Sequence, residues 1–308
     1  MKNFFEGIKI FCTNKEKRTV FLSQHGFFHK MSDEEFIKMQ FKNVFGYNID
    51  LNNPITYNEK LQWLKLNDRK DIYTKMVDKY EAREYIKDKA GEKYLIPLIG
   101  IYDKFDEIDF DKLPNQFVMK CTHDSGGLVI CKDKKQLDLK KARKKINKYL
   151  KRKYFYVHRE WPYKNVKPRI IIEKYMENKN KEDLKEYNFF CFNGVPKIIS
   201  VCYGNKEKNR FNDYYDIKFN KLNLKCIYNT SDVIFERPKQ LDEMIDIAKS
   251  LSKNIPCLRV DLYLCNDKIY IGELTFSHFA GFTKFEPKEY ETILGNYIKI
   301  GGKRNEKK

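Results

Sequence analysis

Two neighbouring segments near the C-terminal end constrain the fold of this chain most strongly. In residues 258–264 (LRVDLYL) and 268–275 (KIYIGELT), apolar and polar residues alternate, which is typical of strands with one face against a core. Asn266 and Asp267 lie between them, and such residues favour the tight turn of a β-hairpin. The sequence therefore predicts two antiparallel strands here and a sheet to which they belong.

The predicted hairpin carries two carboxylates that would meet across its strands. Asp261 shares a strand face with Arg259, and Glu273 shares one with Thr275. Facing acidic groups are unfavourable unless a cation lies between them, so Asp261 and Glu273 are candidate Mg²⁺ ligands. Arg259 would then stand beside phosphates that such a metal holds. The alternative is a pair of solvated edge charges, which the apolar neighbours of both acids make less favourable.

A second hairpin is predicted around a glycine-containing loop. Residues 116–121 (QFVMKC) and 128–131 (LVIC) have the composition of buried strands, and residues 122–127 (THDSGG) form the turn between them. Small residues let main-chain N–H groups approach a phosphate closely, and Lys120 supplies a point charge at the strand edge. The unit can therefore close over a nucleotide. A plain hairpin turn is the alternative, because Ser-Gly-Gly is a weak signal without context.

The remaining segments predict a helical first part and a strand-rich remainder. Residues 1–73 show helix capping signals and helical periodicity without strand alternation, and a further helical pattern spans residues 72–89. Strands are expected at residues 169–173, 186–192 and 196–202. Helices followed by antiparallel strands predict an α+β protein.

Composition excludes several classes of protein. The chain has 308 residues, of which 42% are hydrophobic and 15% aromatic, so it is not a disordered protein. No apolar run approaches 18 residues, and the first twelve residues lack the apolar core of a secretory signal. Eight cysteines occur singly, without a CxxC pair, which argues against a zinc site or a disulfide framework. We expect reduced cysteines in a cytoplasmic protein.

The net charge of +18 indicates an anionic partner. The positive net charge is compatible with nucleic acid, with a membrane surface and with a phosphorylated or carboxylated substrate. Composition alone does not distinguish these three partners. A solvated basic surface without a specific partner is the alternative. Six basic residues near the aromatic segment 161–163 are candidates for drawing in an anionic substrate: Arg152, Lys153, Arg159, Lys164, Lys167 and Arg169.

Several motifs together resemble the ATP-grasp superfamily and, more closely, its TupA-like branch from bacterial polysaccharide gene clusters. They are the segments 53–64 (NPITYNEKLQWL), 77–80 (VDKY), 117–127 (FVMKCTHDSGG), 160–163 (EWPY) and 272–276 (GELTF). The resemblance covers residues 53–285. It implies an ATP-grasp fold, in which two α/β lobes with antiparallel sheets clasp ATP after a mainly helical N-terminal segment.

The resemblance also implies a division of the chain and a ligand set of ATP and Mg²⁺. Residues 1–73 would form the helical segment, with possible substrate recognition; residues 74–175 the first lobe with the grasp loop; residues 176–300 the second lobe with the Mg²⁺ site; and residues 301–308 a disordered tail. The nucleotide would be bound by Lys79, Lys120, His123, Ser125, Gly126, Gly127, Glu173, Lys174, Tyr175, Met176 and Glu186. Arg259 and Lys120 would be catalytic, and the metal ligands would be Asp261, Glu273 and Thr275.

Two positions depart from the usual pattern of the superfamily. Thr275 stands where ligases usually have an asparagine that binds a further metal ion, and residues 277–281 (SHFAG) replace the Pro-Gly turn that shapes the acceptor site. The first departure affects the number of metal ions, and the second affects the identity of the acceptor. His278, within this segment, is a candidate for facing the acceptor.

The activity implied by the resemblance is an ATP-dependent carboxylate–amine ligase that releases ADP and acts through an acyl phosphate. Its substrates would be an anionic saccharide, such as a uronic acid of a capsule or surface polysaccharide, and an amine acceptor. Peripheral association with membrane-bound polysaccharide machinery is possible, and no specific nucleic acid is expected. The alternatives are a glycosyltransferase, although no DxD motif stands where a nucleotide-sugar metal site would need it, and a sugar phosphotransferase.

Overall fold

The computed structural model describes residues 13–180, 182–204 and 210–301. The helices are α1 (Lys15–Gln24), α2 (Asp33–Phe45), α3 (Tyr57–Asn67), α4 (Asp71–Val77), α5 (Ala82–Lys89), α6 (Leu139–Leu150), α7 (Phe155–His158), α8 (Leu241–Ser252) and α9 (Glu289–Tyr297). The strands are β1 (Leu98–Tyr102), β2 (Phe117–Cys121), β3 (Leu128–Cys131), β4 (Ile170–Lys174), β5 (Lys185–Phe192), β6 (Val195–Tyr203), β7 (Phe211–Asp216), β8 (Cys257–Cys265) and β9 (Lys268–Thr275). The expectations for residues 1–12 and 302–308 lie outside the described residues.

Two antiparallel sheets organise the described chain. One has four strands in the order β1-β4-β2-β3, and the other has five in the order β7-β6-β5-β8-β9. Both predicted hairpins are confirmed, since Lys120 pairs with Leu128 and Asp261 pairs with Glu273. The α+β class is confirmed as well, and no strand precedes β1 within the part of the chain that the structure describes.

Each sheet has a hydrophobic core of its own. Helix α6 packs on the four-stranded sheet, where Ile146 joins Phe117 and Met119 in one buried cluster. On the five-stranded sheet, Val260 of β8 and Met244 of α8 belong to a larger cluster. Alternation of the strand side chains gives this sheet a second apolar face, which α3 and α9 cover. The space between the two sheets is lined by both apolar and polar side chains.

The helical pattern of residues 72–89 is interrupted in the structure. Helix α4 ends at Val77 and α5 begins at Ala82, because the Asp78 carboxylate accepts hydrogen bonds from the main-chain N–H groups of Tyr80 and Glu81. The break places Lys79 in a turn, where its main-chain N–H bonds Thr122 O at 3.2 Å. The expected boundary between residues 73 and 74 falls inside α4. Helix α5 contributes to the core of the five-stranded sheet.

Seven cysteines lie in the described residues, and all seven are buried free thiols. They include Cys121 and Cys131 in the four-stranded sheet and Cys191 and Cys257 in the five-stranded sheet. None of the helices in the described ranges has both the length and the apolar character needed to cross a membrane.

Candidate active site

A cavity of about 960 Å³ opens between the two sheets. Its size is that of a small-molecule or cofactor site. The lining residues come from β2, β3 and β4 of one sheet, from β5, β6 and β8 of the other, and from the segment after β4. The lining includes Lys120, Glu173, Lys174, Tyr175, Met176 and Glu186, which are six of the residues expected to bind nucleotide.

Lys120 and Glu173 form an ion pair on adjacent strands inside this cavity. The Lys120 Nζ donates to Glu173 Oε2 at 2.7 Å, and Arg83 NH1 lies 3.6 Å from the other carboxylate oxygen. The Glu173 side chain is only 9% exposed, so its charge needs this compensation. The ammonium group of Lys120 thus stands at the cavity wall on the strand that precedes the loop, as the sequence predicted.

The segment that follows β4 and the start of β5 provide the other expected nucleotide contacts. Tyr175 is half-buried, and Lys132 Nζ lies 5.7 Å from the centre of its ring. Glu186 accepts a hydrogen bond from Arg210 NH2 at 2.8 Å, and the Tyr263 hydroxyl lies 3.4 Å from its other oxygen. Apolar side chains of β3 and of this segment, among them Leu128, Ile130 and Met176, line the same cavity.

The C-terminal hairpin brings the expected metal ligands together beside cationic groups. Arg259 donates to both oxygens of Asp261 at 2.6 Å and to the Thr275 hydroxyl at 3.2 Å. Lys79 Nζ lies 3.3 Å from Glu273 Oε1. Burial raises the pKa of Asp261 to about 6, although Arg259 opposes this effect. Asp261 is therefore a buried acid and Glu273 a half-buried one, and each is compensated by a cation.

The donor set fits Mg²⁺ that is shared with a bound phosphate. Within the described ranges, no group of three or more His, Cys, Asp or Glu residues is arranged to hold a metal ion by itself. Mg²⁺ usually binds one or two protein carboxylates and completes its shell with substrate phosphates and water, so a two-carboxylate site suits this mode. Asp261 and Glu273 would hold the ion, and Thr275, bonded to Arg259, lies two pairs further along the hairpin.

The loop between β2 and β3 is held by its own polar contacts. Lys79 Nζ donates to Asp124 O at 3.1 Å, while the Asp124 carboxylate is paired with Arg152 and accepts from the Gly126 N–H at 2.6 Å. His123 is 3% exposed, and its Nε2 bonds the main-chain oxygen of Arg152, so its side chain is not in the cavity wall. Ser125 is exposed at the tip of the loop.

The two loop glycines are explained by close packing. A Cβ on Gly126 would lie 2.4 Å from the Tyr149 ring, and one on Gly127 would lie 2.5 Å from Cys121 Sγ. Neither residue lines the cavity in this structure. Close packing accounts for both glycines in this structure, and approach of a phosphate to the loop stays a prediction.

The expected basic cluster near residues 161–163 is corrected by the structure, because its three arginines are used internally. Arg152 pairs with Asp124, and Arg169 donates to Asp78 and Glu81. Arg159 is fully buried, where it donates to main-chain oxygens in the loop after α1. Lys153, Lys164 and Lys167 remain exposed. The arginines stabilise contacts between segments, which residue type alone did not distinguish from a substrate-facing patch.

Sequence reasoning also missed how α3 supports the site. Three side chains on α3 donate to main-chain oxygens of residues 280–283, the segment that follows the metal hairpin: Asn58, Gln62 and Lys65. In the same segment, His278 Nδ1 accepts a hydrogen bond from Arg259 NH1. All three residues are buried. Their spacing of four and three residues places them on one face of the helix, and this spacing is the signal that was available in the sequence.

The family model of TupA-like ATP-grasp proteins matches residues 59–299. D-alanine–D-alanine ligase from Bacillus anthracis, solved with ATP, is 18% identical, with 65% of this chain and 53% of that chain covered and a TM-score of 0.39. N5-carboxyaminoimidazole synthetase from Staphylococcus aureus, solved with ADP, is 14% identical, with 94% of this chain and 64% of that chain covered and a TM-score of 0.40.

Phosphoribosylamine–glycine ligase from Thermotoga maritima is 13% identical, with 66% of this chain and 48% of that chain covered and a TM-score of 0.40. The chain thus spans less than two thirds of the length of each of these three proteins. No curated protein matches the sequence. Because the family model spans most of the chain, the protein belongs to the TupA-like ATP-grasp family.

Proposed function

We propose that this ATP-grasp protein is an ADP-forming ligase that joins a carboxylate to an amine, and that the carboxylate belongs to a uronic acid or related sugar acid of a bacterial surface polysaccharide. Family membership supports the ligase class. The polysaccharide setting is inferred from the resemblance to the TupA-like branch. The observation that carries the proposal is the meeting of Lys79, Glu273, Asp261 and Arg259 at the C-terminal hairpin.

The chemistry requires a carboxylate to become a better acyl donor. ATP supplies the phosphoryl group that converts it into an acyl phosphate, which an amine can attack. Such transfers depend mainly on positioning and on stabilisation of charge by fixed cations and a metal ion. In this chain, Asp261 and Glu273 would hold Mg²⁺, and Lys120 at the cavity wall would bind phosphate.

Arg259 and Lys79 are placed to exchange partners when substrates bind. In the structure both cations are paired with the acids of the hairpin. A metal ion on those acids would release the cations toward phosphate and the transferring group. The guanidinium of Arg259 is oriented by His278 and Thr275 as well as by Asp261, so its position does not depend on the acid alone.

The test is ADP release with Mg²⁺ and ATP, screened against sugar acids with and without amines. We expect ADP only when an acid and an amine are both present. Release with an alcohol and no amine would favour a phosphotransferase, and turnover of a nucleotide sugar without ATP would favour a glycosyltransferase. Either result would contradict the ligase proposal.

Two near-isosteric variants test the metal assignment. Asp261→Asn and Glu273→Gln retain side-chain volume, so we expect folded proteins in which ADP release falls by a factor of about 100 or more, as for loss of a charged group that acts in the transition state. Circular dichroism and the unfolding midpoint check the fold. Unchanged turnover in either variant would contradict the assignment of Mg²⁺ to the hairpin.

A further inference from the structure

Asp124 connects the loop between β2 and β3 with two other parts of the chain. Its side chain is fully buried, and its carboxylate accepts hydrogen bonds from two nitrogen atoms of Arg152, one of them at 2.7 Å. Its main-chain oxygen accepts from Lys79 Nζ, which lies 3.3 Å from Glu273 Oε1. Lys79 and Glu273 line a small cavity that shares Glu173 with the larger one. The loop is therefore joined to the C-terminal hairpin by a continuous series of contacts.

The segment at the end of α6 fixes the shape of this loop. A guanidinium that donates twice to one carboxylate fixes the direction of the contact as well as its distance. The main-chain oxygen of Arg152 also accepts from His123 Nε2 at 3.1 Å. A Cβ on Gly126 or Gly127 would lie 2.4 Å or 2.9 Å from atoms of Tyr149, and the Arg152 guanidinium lies 4.8 Å from the centre of the Tyr149 ring. The loop and the end of α6 thus form one packed unit.

Phosphate binding by Lys79 would break one connection of the loop and keep the other. When the Lys79 ammonium group turns toward a phosphate, it leaves both Asp124 O and Glu273. The pair of Asp124 with Arg152 includes neither of these groups, so it persists. The same carboxylate accepts from the Gly126 N–H at 2.6 Å, which holds the turn of the loop. The loop can therefore approach the phosphate without losing its shape.

We propose that Arg152 is a positioning residue for the ligase reaction, which through Asp124 keeps the loop in the shape that shields the acyl phosphate from water. The proposal rests on the ligase function above. When the amine nitrogen attacks the acyl carbon, the bond from that carbon to the phosphate oxygen breaks, and amide, inorganic phosphate and a proton form. When water attacks instead, the carboxylate is regenerated with the same release of phosphate. Both routes consume ATP, so a loosened loop raises the amount of ADP released per amide.

The first experiment measures the loop without turnover, at nucleotide concentrations that a titration shows to be saturating. Arg152→Lys keeps a positive charge beside the buried Asp124, so we expect a folded protein, but an ammonium group does not reproduce the two-point pair. Mg²⁺ and ATP should slow hydrogen exchange in residues 122–128 of the wild-type protein. Exchange in the nucleotide-bound variant should be faster by a factor of about ten, as for loss of a charge-assisted hydrogen bond.

The matched control for this experiment is Arg69→Lys. Arg69 pairs with Asp33 at 2.8 Å, and it lines neither of the two cavities. Exchange in residues 122–128 of this variant should equal that of the wild-type protein. The proposal would be overturned if nucleotide binds without slowing exchange in the wild-type loop, or if exchange is equal in all three proteins.

The second experiment measures how ATP consumption is coupled to product, with an acid and an amine identified by ADP release. We expect equal amounts of ADP and amide in the wild type and in Arg69→Lys. In Arg152→Lys, at least about twice as much ADP as amide should form, with the KM for ATP changed less than about twofold. Arg152→Gln, which also removes the charge, should raise the ratio of ADP to amide further.

The ratio of ADP to amide separates positioning from stability. A merely structural role of Arg152 would lower the Tm of its variants without changing this ratio, and that result would overturn the proposal. If circular dichroism shows that Arg152→Gln does not fold, Arg152→Lys decides by itself. Absence of amide with every acid and amine would instead contradict the ligase function, and the exchange experiment would still decide whether Arg152 holds the loop.

Discussion

At the scale of single residues, the site consists of charges that already have partners. Lys120 is paired with Glu173, Lys79 with Glu273, and Arg259 with Asp261. Their substitution therefore affects the partner as well as the nucleotide. A variant that removes one charge leaves an opposite charge in a partly dry environment, which costs stability independently of function.

The variant Lys120→Met should show both effects, one on nucleotide binding and one on stability. We expect it to lower nucleotide affinity, and also to lower the free energy of unfolding by about 1–3 kcal/mol, because Glu173 loses its closest donor. The double variant Lys120→Met, Glu173→Gln should recover most of the stability but not the affinity. Urea unfolding and nucleotide titration measure the two effects. If the double variant binds ATP as the wild type does, the phosphate-binding role of Lys120 is wrong.

At the scale of elements, the segment after β9 is held in an unusual conformation by a helix from the other end of the chain. Phe279, Ala280 and Gly281 all have positive φ angles, of 45°, 55° and 67°. A non-glycine residue in this region is strained by roughly 1–2 kcal/mol, so external contacts must retain the segment. At Gly281 a Cβ would also lie 2.6 Å from Gln62 Nε2. Helix α3 thereby determines where His278 meets Arg259.

Lys65→Met tests this support. Gln62 Oε1, His158 O and Ala280 O would each lose a hydrogen bond, although Ala280 O keeps the one from Gln62. We expect a loss of about 3 kcal/mol in unfolding free energy, with faster hydrogen exchange at the amides of Ala280 and Phe282. Lys60→Met is the matched control, because Lys60 on the same helix donates to two carbonyls of α9 and its C-terminal end. It should destabilise the protein while leaving those two amides unaffected. Equal exchange in both variants would contradict the role given to α3.

The strands were predictable to a greater degree than the side-chain partners. The period-two pattern of β8 and β9 and the turn between them determine the register that joins Asp261 to Glu273. Partners that are distant in the sequence could not be predicted from local patterns. Arg159, which follows α7, is buried among residues of the loop after α1, and no residue adjacent to it in the sequence indicates this contact. The break at Asp78 was also missed, because an aspartate that bonds the main chain looks like any polar helix residue in the pattern.

At the scale of the whole molecule, the excess of positive charge remains to be explained. With the arginines near residues 161–163 engaged internally, the exposed lysines of α6 are the better source of attraction for an anionic substrate, since Lys141 and Lys145 of this helix line the cavity. The helix also carries Lys140, Lys144 and Lys148, and all three are exposed. A positive field beside a cleft raises the association rate of anions.

We therefore expect kcat/KM for a sugar acid to fall as salt increases, because the Debye length shrinks from about 10 Å at 0.1 M to about 3 Å at 1 M. Replacing Lys140, Lys144 and Lys148 by glutamine should flatten this dependence. The control replaces three exposed lysines near α9, namely Lys284, Lys288 and Lys299, with the same change in net charge. If kcat/KM depends on salt equally in both triple variants, the lysines of α6 have no specific part in attracting the substrate.

The reactivity of the buried thiols reports local opening of the folded protein. Burial raises the pKa of Cys121, Cys191 and Cys257 to about 12, so these three residues present almost no thiolate to an alkylating reagent while the protein is folded. Each thiol becomes reactive only when the layer around it separates. Because the two sheets hold different cysteines, the order in which these residues are modified distinguishes opening of the four-stranded sheet from opening of the five-stranded sheet without any introduced label.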